Sequence, residues 1–327
     1  MFRNNELAKD YLIQNRKSEA ISSYLTEYYF ERRYLQNINY TQGWYLDCQD
    51  EGLNFYVQKQ VLNETDISFA NQPNILMWQV YFDADDEIIL KRYGTNVAIR
   101  VEDYVQNNHL VERHRRPLEH EDVEEQERRN EYCNRLIADG KIIDVANKVY
   151  IENAFLNKYF GISDIDFIVK NDLGYIALEV KYKYPSRNGC YGINVGPFSV
   201  FNRMEQYGIR VFNIILKNQN RMDCLDYIAQ DNPVVEYAYV DTGRNYPVRN
   251  SPVACAYFED GIQQYRAIPC TEYRRFNDRG NIIDMRCPLC GDGMVLRNTQ
   301  YGELLGCKTF PWTGCRGKIH LSNRIGE

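Results

Sequence analysis

One stretch constrains the chain more than any other: residues 163–183, SDIDFIVKNDLGYIALEVKYK. Two apolar runs flank KNDLG, a turn signal, so the stretch reads as a hairpin with strands over 164–170 and 175–183. Strand side chains alternate between faces. Ile165, Phe167 and Val169 then share one face of the first strand, and Ile176, Leu178 and Val180 share one face of the second; both read as core. The opposite faces carry Asp164 and Asp166 on one strand and Glu179 and Lys181 on the other. Charges set side by side on a sheet are costly unless they do something there.

The flanks extend the pattern. Residues 142–160, IIDVANKVYIENAFLNKYF, carry apolar residues at helical spacing and end at Gly161. After the hairpin, NGCYGINVGP reads as a loop, FSVFNRMEQYG as a short helix ending at Gly208, and IRVFNIILK as a buried strand. The predicted order is helix, strand, strand, helix, strand. Residues 5–38 hold neither Gly nor Pro and read as helix. Residues 41 to about 105 read as strands, with DADDE and YGTN as hairpin turns. The charged run starting VERHRRPLEHEDVEE reads as a solvated linker and exposed helix face, in preference to a phosphate site at Arg113, Arg115 and Arg116. Residues 234–270 return to a mixed β pattern, and no internal repeat is present.

Hydrolysis of a phosphodiester needs charge neutralised at the phosphate and an activated water. Mg²⁺ supplies both and takes oxygen ligands. Asp166, Glu179 and the backbone carbonyl of Val180 are candidate ligands, and Lys181 is placed to orient or deprotonate the water. An ExK tripeptide alone is weak and ordinarily marks an exposed strand with a cross-strand ion pair; the order of elements around it adds the weight. This layout resembles the PD-(D/E)xK, or restriction endonuclease-like, nuclease superfamily, and within it the nuclease-related domains. DID at 164–166 and EVK at 179–181 carry the resemblance, with the helix before and the helix–strand pair over 198–217 after. It implies an αβββαβ core, Mg²⁺ or Mn²⁺ as cofactor, Asp166 as the metal-binding aspartate, and Asp164 and Glu152 as assisting acids.

The second signature is the tail. Cys287, Cys290, Cys307 and Cys315 are spaced C-x2-C-x16-C-x7-C, which suits a closed tetrahedral zinc site. A tail this short has little core of its own, so a metal would hold it together. Its wording, CPLCGDGMVLR then GELLGC then FP, resembles the C-terminal zinc ribbons of bacterial type I topoisomerases, which bind DNA. The resemblance points to Arg297, Lys308, Arg316 and Lys318 for phosphates and to Tyr301, Phe310 and Trp312 for stacking on bases. The remaining cysteines, at 48, 133, 190, 224, 255 and 270, read as buried thiols.

Charge supports a local rather than a global polyanion contact. The net charge is −6, yet residues 271–327 hold nine Lys/Arg against six Asp/Glu, which is +3 and leaves −9 for the rest. No signal-like or membrane-spanning apolar run is present, so the expected location is the cytoplasm, with thiols reduced or metal-bound. The expected fold is α/β (α+β). An N-terminal α+β region over 1–120 would precede a restriction endonuclease-like mixed-sheet core over 121–270 and a zinc ribbon over 281–327. The expected function is a metal-dependent nuclease acting on DNA, in repair or in defence against foreign DNA. The alternatives are a non-catalytic DNA-binding protein on an inactivated nuclease fold, or an RNA nuclease. Implied partners are DNA, with RNA left open, and another copy of the chain, but no membrane.

Overall fold

The computed structural model describes residues 1–46, 52–113, 123–160, 162–219, 221–252, 262–277, 281–300 and 302–321. In chain order its elements begin with α1 (Asn5–Asn15), α2 (Ser18–Tyr34), β1 (Tyr40–Leu46), β2 (Leu53–Val57), α3 (Glu64–Ala70), β3 (Ile75–Phe82), β4 (Ile88–Arg92), β5 (Ala98–Arg100) and α4 (Val101–Asn107). Then come α5 (Val123–Ala138), α6 (Ile142–Ile151), a π turn (Glu152–Leu156), α7 (Asn157–Tyr159), β6 (Ile162–Asn171) and β7 (Gly174–Lys183). β8 (Cys190–Asn194), α8 (Val195–Gln206), β9 (Arg210–Lys217), α9 (Cys224–Ile228), β10 (Val235–Tyr239), β11 (Val248–Pro252), β12 (Ile262–Pro269) and β13 (Arg274–Arg275) follow. The tail holds β14 (Met294–Thr299), β15 (Gly302–Cys307), α10 (Phe310–Thr313) and β16 (Lys318–His320). Among these residues no helix is long and apolar enough to cross a membrane.

A mixed ten-stranded sheet in the order β13-β10-β9-β7-β6-β1-β2-β3-β4-β5 organises the molecule. β7 runs parallel to β9 and β2 parallel to β3; the other neighbours are antiparallel. β1 sits between β6 and β2, so residues on both sides of position 120 share one sheet. The helix expected over 5–38 is two helices, broken at Arg16, whose φ of −138° is extended. The helix expected over 142–160 is interrupted by the π turn.

The expected loop NGCYGINVGP is instead β8 followed by the first turns of α8, and β8 pairs with β12. Its glycine is there for contact rather than for a turn: a Cβ on Gly192 would lie 2.6 Å from the Tyr265 ring. Tyr191 and Ile193 alternate with it into the core.

Apolar residues fill both faces of the sheet. Phe198, Phe201 and Met204 of α8 pack with Ile168, Ala177, Val211 and Ile215. Phe30 of α2 packs with Phe167, Val169, Ile176, Leu178 and Phe212. α1, α2, α5 and α6 enclose a separate helical core of Leu12, Ile21, Leu25, Leu136, Ile142 and Val149.

The pairing of β1 with β6 is irregular. Its register steps from Thr41↔Ile168 to Gly43↔Ile165, two residues on one strand against three on the other. This is a β-bulge in β6 at Asp166 and Phe167, opposite Gln42. Strict alternation would put Ile165 with Phe167 and Val169. Instead Ile165 shares the α8-side cluster with Ile168, while Phe167 and Val169 face α2.

Candidate functional site

Three elements bring acids together, and a fourth adds a lysine. β6 and β7 pair from Asn171↔Gly174 to Phe167↔Leu178, and there the ladder stops. β7 continues against β9 as far as Lys183↔Lys217, while β6 continues against β1. Asp166 fills the fork: its Oδ2 accepts the Val180 backbone N–H at 2.6 Å. Lys181 reaches back with its Nζ 2.8 Å from Glu179 Oε1 and 3.6 Å from Asp166 Oδ2.

The further acid comes from α2. Oxygens of Glu27, Asp164 and Asp166 all lie within 4.8 Å of one another, a group able to hold a metal ion. Lys148 of α6 borders it, with Nζ 2.7 Å from Asp164 Oδ2 and 3.9 Å from Glu27 Oε2. Sequence reading missed both Glu27 and Lys148. The available signal was an acid among Leu25, Tyr28, Tyr29 and Phe30, on a helix otherwise built for burial.

Glu152, by contrast, does not join this group of three acids. It forms an ion pair with Arg16, and its Oε1 accepts the Trp44 indole N–H at 2.9 Å. Trp44 lies opposite Asp164 across β1 and β6, so Glu152 braces the strand next to the acids.

The electrostatics of the cluster are unbalanced. Glu27, Asp164, Asp166 and Glu179 face two ammonium groups, Lys148 and Lys181. With every group ionised the excess is two negative charges. Like charges about 4 Å apart repel by about 4 kcal/mol at an effective dielectric constant of about 20. Burial first and the Asp166 charge second push Glu27 well above the usual carboxylate range. Burial likewise raises Asp166, and it raises Glu179 to about 7 despite the pull of Lys181. Burial alone would lower the Lys181 ammonium, but the Asp166 and Glu179 carboxylates more than offset it and hold it above its ordinary value. Two buried oxygens, Asp164 Oδ1 and Glu179 Oε2, have no hydrogen-bond partner. Buried oxygens rarely go unpaired, so the cluster has free ligand capacity as well as surplus charge.

Two clefts reach the site from either side of α2. One, of about 340 Å³, is lined by Glu27 and Lys148 with Tyr24, Tyr28, Lys59 and Lys141. The other, of about 830 Å³, is lined by Lys181 and Lys183.

The four tail cysteines also converge. Cys287 and Cys315 sulfurs are 3.7 Å apart, and those of Cys290 and Cys307 are 3.5 Å apart. A tetrahedron with metal–sulfur bonds of about 2.3 Å has edges of about 3.8 Å, so the set fits a metal such as zinc. The backbone makes room for it: a Cβ on Gly317 would lie 2.1 Å from Cys287 Sγ. The tail is not a separate unit, because Cys287, Met294, Leu305, Cys307 and Ile319 share the core of Phe30, Phe167 and Leu178.

Of the predicted nucleic-acid contacts, Lys308, Phe310, Trp312, Arg316 and Lys318 are exposed, with Trp312 79% accessible. Arg297 is turned inward and donates to the Cys307 carbonyl at 3.3 Å. Tyr301, Arg115 and Arg116 lie outside the described residues, as do Cys48 and Cys255. Among the other cysteines, Cys133 and Cys224 are buried, but Cys190 and Cys270 are only half-buried because they sit at the end of β8 and just after β12.

Compared with protein-family models, curated proteins and solved structures, the chain matches none.

Proposed function

We propose that this protein is a metal-dependent nuclease that hydrolyses DNA phosphodiester bonds. One observation carries the reading: Glu27, Asp164 and Asp166 converge closely enough to hold a metal ion, Glu179 is joined to them through Lys181, and Asp164 and Glu179 each keep an unpartnered buried oxygen. A divalent cation has the charge to neutralise them, and oxygen-only donors suit Mg²⁺ or Mn²⁺. The element order supports the same reading. α2, β1, β6, β7, α8 and β9 follow the αβββαβ order of a restriction endonuclease-like core, with residues 47–161 inserted between its first two strands and β8 added before α8. In this reading the leading helix is α2 rather than the one over 142–160, and Glu27 is its acid in place of Glu152.

Asp166, Glu179, Asp164 and Glu27 would hold the cation, together with the Val180 carbonyl. When bound, the cation neutralises the phosphate and acidifies a water. Lys181 stays protonated between its carboxylates, so it orients the water by donating to it rather than taking its proton. The Val180 N–H locks Asp166 in position. The exposed Lys308, Phe310, Trp312, Arg316 and Lys318 of the zinc ribbon hold substrate.

The test is incubation of the protein with plasmid and with single-stranded DNA in Mg²⁺ or Mn²⁺. Cleavage is expected, and loss of it in Asp166→Ala and Lys181→Ala. Undiminished cleavage by those variants would remove the site assignment.

A further inference from the structure

The larger cleft opens next to Lys181 and holds cations that the acidic cluster does not use. Of its four acids three are already engaged, and the fourth, Glu19, acts on Lys183 only through its charge. Glu125 accepts from the backbone N–H and the hydroxyl of Ser18, and Glu124 pairs with Arg128 at 3.4 Å. Asp223 caps α9 through Leu225 N–H and accepts the Tyr132 hydroxyl at 2.6 Å. Two cations form no ion pair within 4.0 Å among the described residues, although the charges of Glu179 and Glu19 are felt at Lys183. Lys183 donates only to the Gly192 carbonyl, and burial together with the neighbouring Lys181 charge lowers its ammonium to about 8. Arg221 lies over the Tyr184 ring, 4.6 Å from its centroid, and holds a φ of +53° that few residues other than glycine adopt. Tyr184 itself is 50% exposed.

Lys181 and Lys183 project from the same face of β7, about 6.6 Å apart along the strand. That spacing is on the order of the separation between neighbouring phosphates of one nucleic-acid strand. An opening of about 830 Å³ is the size of a small-ligand pocket, so it takes a few nucleotides of one strand and no duplex.

We propose that this cleft is the binding track for a single DNA strand beside the scissile phosphate. Lys183 and Arg221 take the adjoining phosphate, and Tyr184 stacks a base on the ring face away from Arg221. This deepens the nuclease reading and rests on it for the position of the cut, but its test is separate. The affinity of a fluorescein-labelled oligothymidylate is read by anisotropy without added divalent metal, across a salt series. Lys183→Gln and Arg221→Gln should each weaken binding several-fold and lower the slope of log affinity against log salt by about 0.7. Tyr184→Ala should weaken it roughly tenfold, and Tyr184→Phe should restore it. Lys183→Arg should keep both affinity and slope.

Unchanged affinity and slope in Lys183→Gln and Arg221→Gln overturn the proposal, as does absence of binding by the unaltered protein. A protein that cuts DNA while these variants bind and cut normally loses only the track. A protein that cuts nothing yet shows the expected binding losses keeps the track and loses the nuclease reading.

Discussion

The chain holds two clusters of side chains that could hold a metal ion, and they are made in opposite ways. The cysteine set comes from one short segment, Cys287 to Cys315, and its backbone is shaped around it: Gly291 at φ +79°, Gly314 at φ +69° and the close approach of Gly317. The acidic set draws on α2, β6 and β7, with Lys148 added from α6. Thiolates gathered for structure leave no open position. The acids keep unpartnered oxygens, raised carboxyl groups and clefts on two sides. One arrangement is closed on itself and the other keeps oxygens without partners.

That contrast can be broken most decisively at Asp166. Asp166→Asn should lower DNA cleavage by about 10³-fold with little change in melting temperature, as read by plasmid nicking and differential scanning fluorimetry. Cys307→Ser should do the reverse. Cys307 is buried in the core shared with the sheet, so melting should fall by roughly 10 °C and zinc content, read by atomic emission, should drop.

Glu27→Gln should fall between them. It should cut activity about tenfold, raise the Mg²⁺ concentration needed and, by relieving repulsion with Asp166, raise the melting temperature without metal by a few degrees.

The pH response is smaller and has a definite sign. Glu179 titrates near 7 in the fold against an ordinary 4.5, and Glu27 and Asp166 shift the same way. A raised carboxyl group contributes stability that is complete below its unfolded value and lost as pH rises through the folded one. The melting temperature without divalent metal should therefore be higher at about pH 6 than at about pH 8, and Mg²⁺ should narrow the gap. Trp312→Ala should move least: no change in melting for a side chain this exposed, and a few-fold loss in DNA affinity.

The same division decides how much could be read from the sequence. Cysteine spacing is local, so the convergence of the four tail thiols was legible in it, and the β6–β7 hairpin was legible because its alternation and its KNDLG turn are local too. The bulge at Asp166 was not, because an extra residue in β6 is visible only against its partner strand. Glu27 and Lys148 were not, because each is one charged residue on an apolar helix until β1 is set between β6 and β2. Glu152 was misread because nothing local announces Arg16 and Trp44 as its partners.

The seating of β1 also has a consequence in time. Leu46 pairs with Ile162, and everything between them must be synthesised before that pairing can close. Contacts so distant along the chain are slow to form. A polypeptide emerging from the ribosome therefore presents Glu27 long before it presents Asp164 and Asp166. The carboxylates are assembled only once the sheet is joined across its middle, so a half-made chain has no gathered acids to offer a cation.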